Sequence, residues 1–157
     1  MDERQRTAGF LAIRRMCGPL LSLPMPPSWG VPRESVEFLT RVPADLADTR
    51  WFDRYRRCVT SVTSLFDGTE LDPDLIEEFQ LELLAAMDMF ASGDTGYPVR
   101  IAAELSAYLD EVAGTSFAER DAELAALCAS SPVTPELVAR CDAFGADLVT
   151  ALRAAGQ

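Results

Sequence analysis

The residues in this chain best suited to chemistry are arginines. Arg50, Arg54 and Arg57 stand at i, i+4 and i+7, so on a helix they project from one side. Guanidinium forks match carboxylates and phosphates, and three together repel one another unless something anionic meets them. With Tyr55 among them they form a candidate site for an anionic small molecule. The plainer meaning is internal pairing with Asp45, Asp48 or Asp53, because exposed ion pairs of this kind are mostly solvated.

A second candidate is the stretch from Ser92 to Arg100, in which Thr95, Tyr97 and Arg100 follow Gly93 and adjoin Gly96. Glycines before a helix N-terminus leave backbone N–H groups free to cradle an anion. The Lys and the G-x-x-x-x-G-K-[ST] spacing of a phosphate loop are both missing, however. An ordinary turn capped by Asp94 or Thr95, with Arg100 paired to Glu104, explains the same residues.

The third group is acidic: Asp74, Glu77, Glu78, Glu82 and Asp88. Paired carboxylates can hold a metal or exchange protons, but a di-metal helical bundle normally adds Glu-x-x-His. The chain has no His at all, and no Lys or Asn. Histidine triads, Cys–His dyads and His-ligated metals are therefore excluded, and no catalytic residue, metal or cofactor is expected. The joint absence of Lys and Asn points instead to GC-biased, bacterial-like coding. Glu78 and Glu82 flank an apolar stripe, which makes them candidates for a partner surface, although a solvated face is the plainer meaning. Trp29, in the Pro-rich stretch Leu23–Pro32, is another, since such segments dock in grooves; the plainer meaning is that the stretch wraps across the bundle and buries Trp29 in its own core.

Charge narrows the choice of partner. The net charge is −11, but residues 1–57 hold ten Arg against seven acids, whereas residues 58–157 hold four against eighteen. So acidic a body is a poor ligand for nucleic acid, whose affinity rests on phosphate neutralisation. A basic protein surface is the matching partner. A homodimer through an apolar face is compatible with this pattern. Cys17, Cys58, Cys128 and Cys141 form no C-x-x-C pair and read as small buried hydrophobes. Cys128 and Cys141 lie almost symmetrically about the Ser131–Thr134 turn, where a disulfide is conceivable but disfavoured in a reducing compartment.

The elements that must position these residues are all helical. Residues 3–17 pattern as a helix with Phe10, Ile13 and Cys17 on one face, stopping at Gly18-Pro19; the pattern leaves open whether it packs on the rest. Five prolines make residues 19–32 irregular. A short helix over 33–42 follows, then one over 48–66 with Phe52, Tyr55, Val59 and Val62 in register. Asp72-Pro73 opens the next, carrying Ile76, Phe79, Leu83, Met87 and Phe90. Pro98 opens another, to Gly114. Ser116 and Glu119 form a capping box for an Ala-rich helix, and Thr134-Pro135 starts the last. Period-two alternation appears nowhere.

The expectation is an all-α, single-domain bundle of five to six helices over residues 1–157, with 19–32 irregular. No segment approaches the ~18 apolar residues of a membrane span, and the charged N-terminus is no secretory signal, so a cytoplasmic location is expected. The leading functional expectation is a small acidic interaction or regulatory protein, an adaptor, inhibitor or immunity-type partner of a basic protein. The alternative is a helical enzyme or ligand-binding protein holding an anion through arginine.

Overall fold

A computed structural model describes residues 2–23, 30, 33–46, 48–66 and 72–156. Among these residues there are seven α-helices and no strands. They are α1 (Glu3–Ser22), α2 (Arg33–Thr40), α3 (Thr49–Thr63), α4 (Pro73–Ala91), α5 (Gly96–Ala113), α6 (Phe117–Ser130) and α7 (Pro135–Ala155), with a 3₁₀ turn at Ser64–Phe66. The all-α class stands, while the count exceeds five to six. The short segment at residues 33–40 is a helix in its own right, because it buries Phe38 and Leu39 and so gains the packing that eight residues need to stay helical.

The architecture is a hub with a surround. Every residue of α1 from Thr7 to Leu20 is buried, and α1 packs most extensively on α7, then on α5, α6 and α4, with a lighter contact to α3. A helix apolar on all sides belongs at the centre of a bundle, and within the buried stretch Arg14 and Arg15 are the charged residues that interrupt that character. The hub also outlasts its expected stop, since Gly18 and Pro19 lie inside α1, which ends at Ser22. Pro19 has no N–H for the carbonyl one turn back. Packing on every side outweighs that single lost bond, and the Ser22 hydroxyl donates to the Gly18 carbonyl at 2.9 Å. Of the stretch expected to be irregular, residues 19–22 are thus helical.

Gly18 serves the crossing of α1 and α7. A Cβ built on Gly145 would stand 2.6 Å from the Gly18 Cα, so the two backbones touch at a point where no side chain fits.

Caps set the remaining boundaries. Asp48, Asp72 and Thr134 accept backbone N–H groups at the starts of α3, α4 and α7. Ser116, expected to cap α6, makes no such bond. The Asp110 carboxylate reaches over from the end of α5 instead, accepting from the Phe117 N–H and from Ala118 N–H at 2.8 Å. Among the described residues no helix is long and apolar enough to cross a membrane.

Candidate functional site

Two open depressions bear on function. The larger, about 810 Å³, lies where the first turn of α1, residues 42–46 and the start of α7 meet. Most of its polar lining is already engaged. Thr7 donates to the Glu3 carbonyl at 2.9 Å, Arg6 donates to the Leu46 carbonyl at 2.8 Å, and the Thr134 hydroxyl accepts from Leu137 N–H. Asp142 on its floor binds Arg14 at 2.8 Å. Ligand sites need convergent polar groups that are free to meet a ligand, and here those groups serve the fold.

The smaller, about 240 Å³, is a groove between α4 and α5. Its floor is Leu75, Phe79, Ile101, Leu105 and Leu152, and its polar lining is Glu78, Glu82, Glu104 and Tyr108. The helical period explains the grouping. Glu78 and Glu82 are one turn apart on α4, beside Leu75 and Phe79, while Glu104 and Tyr108 are one turn apart on α5. Neither Glu78 nor Glu82 has an ion-pair partner among the described residues; Glu104 sits 3.7 Å from Arg100, both largely exposed. Three carboxylates around an apolar trough can hold basic side chains, their aliphatic stems on the floor and their charged heads at the rim. No cluster of three or more metal-binding side chains occurs among the described residues.

The other sequence candidates are dispersed. Arg50, Arg54 and Arg57 are exposed, and Arg54 lies over the Phe38 ring at 4.2 Å. Arg56, between them, is the residue that pairs with Asp88. Tyr55 faces inward and is fully buried. Around Gly93–Arg100 the N–H groups of Gly96 and Tyr97 are taken by the Asp94 carboxylate at 3.2 and 3.1 Å. Thr95 is buried and makes no side-chain cap bond. Arg100 rests on the Tyr97 ring at 4.8 Å. None of these residues lines either depression. Glu78 and Glu82 are brought together, and Trp29 lies outside the described residues.

Sequence reasoning passed over the buried polar centre. Arg14 and Arg15 are each about 1 % exposed. Arg14 donates to the Leu39 carbonyl and to Asp142, fastening α2 and α7 to the hub. Arg15 Nε donates to Asp121 at 2.8 Å, with both side chains buried, and its terminal nitrogen lies 3.8 Å from Cys128 Sγ. Burial works against the Arg14 charge, yet Tyr55 and Asp142 outweigh it and hold the guanidinium above its ordinary value. For Asp121 burial prevails over Arg15, and the carboxyl is raised. The Tyr55 hydroxyl lies beside Arg14 and Cys17 without reaching hydrogen-bond geometry to any described residue, and burial raises it well above the phenol range. Burial likewise lifts Cys17 to about 11. Cys128 is lowered, first by the neighbouring Cys141 thiol and then by Arg15, against its own desolvation; Cys141 is raised by Cys128 and by burial.

Two signals could have found this centre. Arg14-Arg15 interrupts a run that is otherwise apolar on both sides, and Asp121 falls in register with Phe117, Leu124 and Cys128 on the inward face of α6. Comparison with protein-family models, curated proteins and solved structures finds no match for this chain.

Proposed function

We propose that this protein is a non-catalytic, acidic helical binding protein, and that its α4–α5 groove receives a basic amphipathic segment of a partner protein. The observation that carries this reading is the groove itself, an apolar trough bordered by Glu78, Glu82 and Glu104, two of them with no ion-pair partner among the described residues. The excess of acids over residues 58–157 supports it, since a field of one sign steers an oppositely charged partner toward the surface that binds it. Leu or Phe side chains one turn apart would fill the trough, and Arg or Lys flanking them would meet the carboxylates.

A suitable probe is a helical peptide with Leu at i, i+3 and i+7 and Arg on both flanks, titrated by calorimetry. The double variant Glu78→Arg/Glu82→Arg should weaken binding at least tenfold, about 1.4 kcal/mol, and raising salt should weaken the wild-type complex. An affinity indifferent to both changes would show that the groove does not read charge.

A further inference from the structure

Cys128 on α6 and Cys141 on α7 are neighbouring thiols across the hairpin, and both are free and buried. The Arg15 guanidinium of α1 reaches Cys128 Sγ at 3.8 Å while its Nε is held by Asp121. One Arg15 terminal nitrogen is buried and has no partner among the described residues. This is a cation held in place by a carboxylate, with donor capacity left over beside a thiol. The cation favours the thiolate, the nucleophilic form of cysteine. A second thiol adjoins it, and both lie close to a short turn.

We propose that Cys128 and Cys141 are an oxidisable pair for hydrogen peroxide, with Cys128 the attacking sulfur and Cys141 the resolving one. The Cys128 thiolate attacks one peroxide oxygen, the O–O bond breaks, and the departing hydroxide takes a proton to become water. Cys128 is thereby oxidised to a sulfenic acid and the peroxide is reduced. Cys141 then loses its proton as its sulfur attacks that of Cys128. The S–O bond breaks, and the leaving hydroxide takes up that proton as a second water. Two thiols and one peroxide give one disulfide and two waters. Burial selects a small oxidant, which enters when the hairpin opens locally at Ser131–Thr134, next to the exposed Ser130 and Pro132. The other two cysteines lack these features. Cys17 is held as the protonated thiol, and Cys58, on α3, makes no hydrogen bond to a cation or a second thiol among the described residues.

The test is one equivalent of hydrogen peroxide on the folded, reduced protein, followed by intact mass and peptide mapping. The expected product has lost two hydrogens, carries a Cys128–Cys141 link, and keeps Cys17 and Cys58 open to alkylation. Its formation should accelerate with rising pH as Cys128 ionises. The groups facing that thiol are Arg15 from α1, Asp121 from α6 and Cys141 from α7, with Asp142 beside Cys141. In Cys141→Ser a sulfenic acid at Cys128 should be trapped by dimedone, and in Cys128→Ser the linked product should vanish. Oxidation of Cys58 with Cys128 and Cys141 still reduced would overturn the proposal. So would a Cys128 in the wild type that passes to sulfinic acid without linking. The wild-type map decides the matter even if a variant fails to fold, and neither result bears on the α4–α5 groove.

Discussion

Arg15 and Asp121 show how a charge survives at the centre of this protein. Two ions stripped of water attract strongly, but the desolvation of both generally cancels the gain. The raised carboxyl of Asp121 records that balance, because burial has the larger effect even with Arg15 at 2.8 Å. Removing one partner should therefore be far worse than removing both. Arg15→Met alone is expected to cost ~3–5 kcal/mol, whereas Arg15→Met/Asp121→Leu should come within about 1–2 kcal/mol of the wild type or exceed it. Urea unfolding of the three proteins decides the point, and additive losses would show that the pair is a net source of stability. The pH sense is also fixed. A carboxyl raised in the folded state contributes stability that is fully present below its unfolded value and lost as pH rises through its folded value. Asp121 therefore does not drive acid unfolding. Tyr55 offers a cleaner case. Its buried hydroxyl has no hydrogen bond among the described residues, so Tyr55→Phe should be neutral or stabilising by ~1 kcal/mol. A loss of more than that in thermal unfolding would mean the hydroxyl is satisfied after all. These centres were legible only in part. The apolar company of Arg14 and Arg15 was visible in the chain, but which acid would meet each arginine depends on helices more than 100 residues away.

At the scale of elements, the caps and the apolar registers of α3, α4 and α7 could be read because they are local. Asp72-Pro73 and Thr134-Pro135 each act within one turn. The misreadings have non-local causes. Gly18-Pro19 stops an isolated helix, yet α1 runs through it because five other helices surround it. Ser116 has the sequence of a cap but loses the role to Asp110, six residues earlier. The groove was half legible, since Glu78 and Glu82 were identifiable on α4 while Glu104 and Tyr108 required knowing which helix lies alongside. Leu81, apolar but off the core stripe of α4, is 60 % exposed. Only the assembled bundle reveals the Gly18–Gly145 crossing. Ala normally outperforms Gly inside a helix by ~0.5–1 kcal/mol. At Gly145 the order should reverse, because the added Cβ would meet backbone at 2.6 Å. Gly145→Ala is expected to cost ~1–3 kcal/mol through overpacking, and a raised thermal midpoint would show that the helices can separate without penalty.

Across the whole molecule, charge is distributed so that the acidic groove lies far along the chain from most of the arginines. That bears on self-association. A two-fold dimer built through the α4–α5 groove would set Glu78, Glu82 and Glu104 against their own copies. Sedimentation at low salt should therefore show no dimer that is lost in Glu78→Arg/Glu82→Arg; a dimer broken by those substitutions would mean the groove recognises itself.

The hub position of α1 also sets an order of events during synthesis. Of the seven helices it is the first to leave the ribosome, and α7, against which it packs most extensively, is the last. The core thus cannot close until α7 has emerged. Through that interval the sticky stretch from Thr7 to Leu20 must wait uncovered or be sheltered by a chaperone. Nascent chains arrested before α7 should be digested readily by protease, and should turn resistant only when that helix is released.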